Sequence, residues 1–231
     1  MFITAFPAGP LAANCYVVAA AAESGAPCVV VDPGQDAAEG VAAAVARHGL
    51  SIEAVLLTHG HFDHVWSAAA VAGHGGAGAP THIHGADRVL LTDPAKGLDP
   101  VLGGQLSALL GDTAPAEPHP LVELAGGERL ALAGLEFSVE HVPGHTPGSV
   151  AFGVADAQDG AGVLFTGDLL FAGSIGRTDL PGGDHAQILA SLERVCAAWG
   201  EDTHVLPGHG PRTTLGRERA TNPFLRDIAG R

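Results

Sequence analysis

The chain has 231 residues, of which 46% are hydrophobic and 16% charged, so a domain with a sizeable buried core is expected. Asp and Glu number 25 against 11 Lys and Arg, which gives a formal net charge of −14 with no basic cluster. A surface this acidic repels a phosphate backbone, which argues against nucleic acid as a partner.

Short β-rich runs alternate with helical runs along the chain. The predicted strands are Phe2–Phe6, Cys15–Ala20, Cys28–Asp32, Glu53–Thr58, Thr81–His84, Leu135–Val142, Ser149–Val154, Val163–Thr166 and His204–Leu206. The predicted helices are Ala37–His48, His64–Ala72 and His185–Trp199. Gln35 or Asp36 can cap the first of these helices, and Asp184 can cap the third. This mixture indicates sheets covered by helices. We place no domain boundary and expect residues 1–231 to form one domain.

The segment Thr92–Pro120 is rich in proline and glycine. Its composition predicts a long loop with a helical turn near Gln105–Leu110. Long loops of this kind serve either as lids over a site or as ordinary surface loops, and the sequence is compatible with both.

Cysteine usage and hydropathy suggest a cytoplasmic protein. The three cysteines, Cys15, Cys28 and Cys196, are widely spaced and form no C-x-x-C pair, which argues against a disulfide framework. The first residues lack the basic and apolar regions of a signal peptide. Since no run of 18 apolar residues occurs, no membrane-spanning helix is expected.

The segment Thr58–His64, with sequence THGHFDH, holds four ligand-type residues in six positions. It follows an apolar predicted strand and leads into a predicted helix. Residues two apart on extended backbone point the same way, so His59 and His61 can bind one metal ion. Asp63 and His64, where the chain turns into the helix, can face a second ion. This spacing predicts a metal site rather than a polar loop.

Three later segments supply further ligand-type side chains, each in a Gly- or Pro-rich turn after a predicted strand. They present His145 in VPGHTPG, Asp168 in LFTGD and His209 in LPGHG. Rigid turns at strand ends suit a preorganised metal site. The two oxygens of Asp168 can bridge two cations.

Other histidines lack such a context. His82 and His84 form a second H-x-H pair, but only Asp87 follows as a nearby ligand-type residue. His141, just upstream of His145, is expected in the body of a strand. We therefore expect these histidines to be sheet or surface residues and leave them out of the predicted site.

The order of the motifs, H-x-H-x-D-H, P-G-H-T-P-G, G-D and P-G-H-G, resembles the metallo-β-lactamase superfamily. Within it, the chain is most similar to short, single-domain bacterial glyoxalase II-like hydrolases. The resemblance runs from Asn14-Cys15-Tyr16 and Val31-Asp32-Pro33-Gly34 through Gly173–Asp179 to Asn222–Leu225. It implies a fold of the α/β (α+β) class, a four-layer αβ/βα sandwich with the metal site at one edge of two facing sheets.

The resemblance also implies roles for individual residues. His59, His61 and His145 would bind one divalent ion, and Asp63, His64 and His209 the other, with Asp168 and a hydroxide as bridges. Zinc is the first expectation, and iron or manganese also suits five imidazoles and two carboxylates. Asp63 is the candidate catalytic residue, as acceptor of the proton of the attacking oxygen. Asp32 is a candidate acceptor for a ligand imidazole N–H, or else part of an Asp-Pro-Gly turn.

By the same resemblance, the expected reaction is hydrolysis of a thioester such as S-D-lactoylglutathione by a metal-bridging hydroxide. A thiolate leaving group, with a solution pKa of roughly 8.5, needs little general-acid help. Arg177 is the candidate contact for a glutathione carboxylate, or else part of a structural salt bridge.

Other activities within the superfamily remain alternatives. One is a persulfide dioxygenase, which would hold a single iron at His59, His145 and Asp168. Another is a hydrolase of a different small ester or lactone. A β-lactamase is less favoured, because Asp168 stands where many of those enzymes have Cys or Ser.

Overall fold

Two six-stranded β-sheets form the centre of the molecule, in a computed structural model that describes residues 1–76, 78–110, 116–155 and 161–229. The strands are β1 (Phe2–Ala8), β2 (Ala13–Ala19), β3 (Pro27–Val31), β4 (Ser51–Leu56), β5 (Thr81–His84), β6 (Leu121–Leu124), β7 (Arg129–Leu132), β8 (Leu135–His141), β9 (Val150–Val154), β10 (Val163–Gly167), β11 (Leu170–Phe171), β12 (Ser174–Ile175), β13 (His204–Pro207) and β14 (Thr213–Thr214).

The α-helices are α1 (Ala37–His48), α2 (Phe62–Val65), α3 (Ala68–Ala72), α4 (Pro100–Leu110), α5 (His185–Ala198), α6 (Leu215–Thr221) and α7 (Pro223–Ala229). Two 3₁₀ helices cover Gly85–Leu91 and Pro94–Gly97. Within the described ranges, every helix falls short of the length and apolar character that crossing a bilayer requires.

The two sheets differ in how their strands are connected. The first follows chain order from β1 to β6, antiparallel from β1 to β3 and parallel from β3 to β6. The second has the order β14-β13-β10-β9-β8-β7. In it β7 to β10 are antiparallel, while β10 and β13 are parallel and are connected through α5, as a parallel pair needs a crossover.

Three hydrophobic clusters divide the molecule into four layers. The cluster between the first sheet and helices α1 and α3 includes Val17, Val30, Val41, Val55 and Val71. The cluster between the two sheets includes Val18, Val29, Leu56, Phe137, Phe152 and Phe165. The cluster between the second sheet and α5, α6 and α7 includes Leu164, Val205, Ile188, Leu192, Leu215 and Leu225. Successive strand residues alternate between clusters because their side chains point to opposite faces. The fold is thus the expected αβ/βα sandwich.

Most predicted elements are confirmed. All nine predicted strands are present, with ends within two residues of those predicted, and α1 has the predicted bounds. Asp184 caps α5 by accepting the N–H groups of Ala186 and Gln187. Asp36 occupies the cap position of α1, but with a left-handed backbone and no side-chain capping bond.

The predicted continuous helix His64–Ala72 is wrong. Two short helices, α2 and α3, replace it, with the break at Ser67. In a continuous helix the Ser67 N–H would donate to the Asp63 carbonyl, whereas here it donates to Pro33 O at 2.9 Å. A Cβ on Gly34 would overlap that Asp63 carbonyl. The break therefore packs the Asp63 turn tightly against the turn that follows β3.

The segment Thr92–Pro120 has more regular structure than predicted. It contains a 3₁₀ helix, and α4 begins at Pro100 rather than near Gln105. Asp99 Oδ1 accepts the N–H groups of Val101 at 3.0 Å and Leu102 at 3.1 Å, which supports the start of α4. Residues 111–115 of this segment lie outside the described ranges.

Candidate metal centre

The predicted site residues lie on turns that follow five strands. Asp32 follows β3, the segment His59–His64 follows β4, His145 follows β8, Asp168 follows β10 and His209 follows β13. Strands β3 and β4 are parallel, as are β10 and β13, and β8 runs with β10 because both are antiparallel to β9. The carboxyl ends of parallel strands meet at one edge, so each sheet presents its turns there.

The turn after β4 is fixed by close backbone packing. The Thr58 carbonyl accepts the N–H of Val150 at 2.7 Å, which ties this turn to the second sheet. A Cβ on Gly60 would lie 2.8 Å from both the Asp87 carbonyl oxygen and Leu90 Cβ. Only glycine fits there without displacing its neighbours, so the spacing of the flanking histidines depends on it.

Three histidines form the first group of ligand-type side chains. One nitrogen from each of His59, His61 and His145 lies within 4.8 Å of the others, and His61 Nδ1 is 2.8 Å from His145 Nε2. His145 Nδ1 donates to the Arg177 carbonyl at 2.8 Å, and His59 Nδ1 lies 3.1 Å from Thr58 Oγ1. With the ring proton on Nδ1, both imidazoles keep an available lone pair on Nε2.

Asp63, His64 and His209 form the second group. His64 Nε2 lies 3.2 Å from His209 Nε2. Asp63 Oδ2 is 3.3 Å from His209 Nε2 and 3.7 Å from His64 Nε2. One carboxylate and two imidazoles therefore face a common point, next to the first group.

Asp168 lies between the two groups. Its Oδ1 is 3.4 Å from His64 Nε2, whereas its Oδ2 is 3.6 Å from His145 Nε2 and 3.7 Å from His209 Nε2. A Cβ on Gly208 would overlap Asp168 Oδ1, so glycine is needed beside this carboxylate. The structure thus brings together all seven side chains that the sequence proposes as metal ligands, with one carboxylate in contact with both groups.

The electrostatics of the site separate the imidazoles into two kinds. Burial, together with repulsion from neighbouring imidazoles, lowers the pKa of His59 well below its ordinary value and that of His61 to about 3. Burial also opposes charge on His64, but the carboxylates of Asp168 and Asp32 raise its pKa to about 10. Without metal, His59 and His61 are therefore neutral and offer ring lone pairs, whereas His64 is protonated and carries a positive charge.

The donor set fits metal ions. Within the described residues, His59 Nε2 and Asp168 Oδ1 are buried atoms of the centre without a hydrogen-bond partner. Buried polar atoms of this kind are costly unless something binds them. They belong to a cluster of five imidazoles and two carboxylates, a set that suits zinc, iron or manganese.

Asp32 orients two of these imidazoles. Its Oδ2 accepts from His64 Nδ1 at 3.0 Å and from Thr58 Oγ1 at 2.6 Å, and its Oδ1 accepts the Thr58 N–H at 2.8 Å. Thr58 Oγ1 in turn contacts His59 Nδ1. One oxygen of Asp32 and one nitrogen each of His59 and His64 lie within 4.8 Å of one another, but both Asp32 oxygens already accept hydrogen bonds, so Asp32 acts as an acceptor. Its backbone is left-handed, with φ of 50°, a strained conformation held by these bonds.

Arg177 touches the site through its backbone. Its carbonyl accepts from His145, while its exposed guanidinium makes two bonds to Asp179, at 2.7 and 2.8 Å. The residue also lines the cavity beside the centre. It therefore combines the salt bridge with a position from which it can reach a substrate.

Asp87 is a structural part of the centre that sequence analysis missed. This buried carboxylate accepts from Gly60 N at 2.9 Å, Thr146 Oγ1 at 2.6 Å and Gly148 N at 2.7 Å. It ties the turn after β4 to the turn that carries His145. Its only sequence signal is an acid shortly after a strand, which many surface turns share.

The turn that carries His209 is held by β2. Asn14 Nδ2 donates to the carbonyls of Pro207 and Gly210, both at 2.9 Å, and the Tyr16 hydroxyl donates to Pro207 O at 2.6 Å. The family resemblance includes Asn14-Cys15-Tyr16 but implies no role for these residues. The structure gives Asn14 and Tyr16 the role of positioning this turn.

The histidines left out of the predicted site belong to the sheets. His82 and His84 lie on β5, and His141 ends β8. The rings of His84 and His141 stack with centroids 4.2 Å apart. Neither ring is part of the ligand-type groups found among the described residues.

A cavity of about 730 Å³ opens beside the centre. Five of the predicted ligands contribute to its lining: His61, Asp63, His145, Asp168 and His209. Much of the remaining lining is apolar and includes Phe62, Leu98, Leu102, Leu106, Phe171 and Leu180. From the described part of the segment Thr92–Pro120, one wall of the cavity is formed by Leu98, Leu102, Gln105 and Leu106.

Comparison with known proteins identifies relatives along most of the chain. A model of the metallo-beta-lactamase superfamily matches residues 8–211. An uncharacterised protein of Mycobacterium tuberculosis is 45% identical over 99% of this chain and 100% of its own length. Hydroxyacylglutathione hydrolase GloC of Haemophilus influenzae is 34% identical over 85% of this chain and 86% of its own. The probable metallo-hydrolase YqgX of Bacillus subtilis is 34% identical over 95% of both.

Solved structures share the fold. BLEG-1, described as a B3 metallo-beta-lactamase, is 40% identical with a TM-score of 0.80 and covers 97% of this chain and 99% of its own. TTHA1623, in a di-iron-bound form, is 40% identical with a TM-score of 0.74, over 97% of this chain and 100% of its own. ETHE1 from Myxococcus xanthus, 22% identical with a TM-score of 0.72 over 99% of this chain and 90% of its own, shows likeness of fold alone.

Proposed function

Because the chain belongs to the metallo-β-lactamase superfamily, as its motifs predict, we propose that it is a two-metal hydrolase of small-molecule thioesters. The proposed ligands are His59, His61 and His145 for one divalent ion and Asp63, His64 and His209 for the other, with Asp168 shared. S-D-lactoylglutathione, or a related thioester of glutathione or a small thiol, is the reference substrate.

The position of Asp168 supports this proposal most directly. One of its oxygens lies 3.4 Å from His64, and the other lies 3.6 Å from His145, so a single carboxylate serves both groups of ligands. TTHA1623, which is 40% identical, is described in a di-iron-bound form, which agrees with two ions and makes iron a candidate beside zinc.

Different residues of the chain have different roles in the proposed reaction. Two bound divalent ions supply an acidified water and positive charge for the oxyanion that forms. Burial raises the pKa of Asp63, but the hydrogen bond from His209 and the proximity of His64 outweigh burial and hold that pKa below its usual value. As an ionised carboxylate on the cavity wall, Asp63 accepts the proton of the attacking water. Asp32 and the Arg177 carbonyl keep ligand rings in orientation.

The thioester class has two supports. GloC, a hydroxyacylglutathione hydrolase, is 34% identical over most of both chains. The acids that line the described part of the cavity are Asp63 and Asp168, both proposed as metal ligands. A site without a separate general acid suits a thiolate leaving group, since a thiolate departs without prior protonation near neutral pH.

Metal analysis with a thioesterase assay tests the proposal. We expect about two ions per chain and hydrolysis of S-D-lactoylglutathione or another member of a panel of thioesters and lactones. Asp63→Asn should lower kcat about 10²–10⁴-fold with an unchanged circular dichroism spectrum, whereas the exposed Asp36→Asn should behave as wild type. Full activity in Asp63→Asn would refute the role of that residue. One iron per chain, with oxygen uptake on glutathione persulfide, would instead identify a dioxygenase.

Hydrolysis of β-lactams is a second candidate. BLEG-1, described as a B3 metallo-beta-lactamase, is 40% identical along nearly the whole chain. A chromogenic cephalosporin assayed beside the thioester panel ranks the two activities. A kcat/KM for the cephalosporin above that of every thioester would make β-lactam hydrolysis the main activity.

A further inference from the structure

The apolar wall of the cavity is built mainly by α4 and the residues before it. Leu102 and Leu106 are four apart on this helix and so share one face, and Leu98 precedes it. Phe171 and Leu180 line the cavity from the second half of the chain. Leu102 remains 48% exposed, so this wall is open to an incoming molecule.

Cationic groups are scarce in the same cavity. Among the described residues that line it, Arg177 is the one arginine or lysine. Its guanidinium already makes two bonds to Asp179, at 2.7 and 2.8 Å. A glutathione moiety carries two carboxylates, which need cationic hydrogen-bond donors, and Arg177 is the one such group in the described lining. Apolar contact is therefore the larger source of binding energy here.

We infer that the preferred substrates are thioesters whose acyl group is an apolar chain of medium length, packed against Leu98, Leu102 and Leu106. This inference rests on the proposed thioesterase function and adds the class of acyl group. A methylene that is fully buried on binding raises affinity about fourfold, and one that is half buried about twofold. Leu98, Leu102 and Leu106 line the same cavity as the proposed metal ligands. Each methylene added to the acyl chain therefore makes further contact with these three leucines until they are covered.

A series of thioesters with one small, uncharged thiol tests the inference. Acetyl, butanoyl, hexanoyl and octanoyl thioesters of N-acetylcysteamine are assayed with the metal-loaded full chain. The kcat/KM of the wild type should rise about two- to fourfold per methylene. Leu102→Asn, which keeps the branching of the side chain and makes it polar, should flatten this rise and lower octanoyl turnover at least about fivefold more than acetyl turnover. The matched control is Val101→Asn, the neighbouring and more exposed position, which should keep the wild-type profile.

Binding provides a readout independent of turnover. Titration calorimetry with the S-ethyl and S-octyl thioethers of N-acetylcysteamine, which cannot be hydrolysed, should show tighter binding of the octyl compound. Leu102→Asn should reduce that difference and Val101→Asn should preserve it. Equal affinities for the two thioethers in the wild type would overturn the inference.

The outcomes separate this inference from the proposed function. Hydrolysis of the acetyl thioester with a flat chain-length profile overturns the inference alone. Failure to hydrolyse any thioester counts against the proposed function, and the thioether affinities then decide the inference by themselves. If Leu102→Asn changes the molar mass in light scattering but not the acyl profile, the wall contacts a second copy of the chain, and the inference is overturned.

Discussion

Oδ2 of Asp32 lies 3.0 Å from Nδ1 of His64, and both side chains are buried. The bond joins the turn after β3 to α2, two elements about thirty positions apart in sequence. It fixes the orientation of the ring and directs Nε2 towards Asp63 and His209. A carboxylate that binds no substrate thereby sets the direction of a proposed metal ligand.

Asp32→Asn tests that relationship. The amide keeps the shape of the side chain but loses its charge and turns a donor towards either the His64 ring or the Thr58 N–H. We expect affinity at the Asp63–His64–His209 group to fall about 10–100-fold, measured by competition with a chromophoric chelator. Asp36→Asn, an exposed change on the same turn, is the matched control. Unchanged affinity in Asp32→Asn would exclude an orienting role.

Removal of metal should abolish activity and leave the fold intact. The three hydrophobic clusters pack the two sheets and their helices together, whereas the proposed ligands lie on turns that follow the strands, so we expect the core to form without metal. A far-ultraviolet circular dichroism spectrum should therefore be unchanged after chelation. Zinc at roughly 100-fold excess over its Kd should raise Tm by about 5–10 °C, since ligand binding stabilises the folded state. Loss of the spectrum on chelation would show that the metal is needed for folding.

The sandwich and its strands could be predicted because burial on both faces leaves a clear pattern. A strand between two clusters reads as a continuous apolar run, as in Val29–Val31 and Val163–Phe165. The β7–β8 hairpin has a weaker signal. Ala133 and Gly134 form its turn with φ of 52° and 71°, and alanine is not a usual residue for that conformation.

The ligand cluster could be anticipated because metal binding restricts residue types and spacing, as in His59 and His61. The supporting contacts could not, since they depend on tertiary neighbours. Asp87 accepts hydrogen bonds from backbone N–H groups of two distant turns. The helix break at Ser67 depends on the hydrogen bond from its N–H to the carbonyl of Pro33. Hydrogen bonds to backbone groups cannot be predicted from the pattern of side chains along the sequence.

Asp87→Asn should loosen the centre as a whole. The amide places an NH₂ group against the N–H of either Gly148 or Gly60, where only an acceptor fits. A buried donor left without an acceptor costs about 1–3 kcal/mol. We expect the free energy of unfolding of the metal-free protein in urea to fall by that amount.

The activity of Asp87→Asn should fall as well, because the turns that carry His61 and His145 lose a common anchor. Asp93→Asn serves as the control, because the Asp93 side chain is about half exposed and, among the described residues, its ion pair is with Lys96 at 3.2 Å. Wild-type stability together with wild-type kcat/KM in Asp87→Asn would show that the turns are held without it.

Arg177→Ala separates a substrate contact from a structural ion pair. The side chain is exposed and bound to Asp179, so its loss should leave Tm within error of the wild type. If the guanidinium binds a glutathione carboxylate, KM for glutathione thioesters should rise about tenfold, while KM for N-acetylcysteamine thioesters stays constant. Arg129→Ala removes a similarly exposed arginine, paired with Glu136, and controls for the loss of charge. An unchanged KM for glutathione thioesters would remove Arg177 from the substrate site and leave its carbonyl, bound to His145, as its contribution.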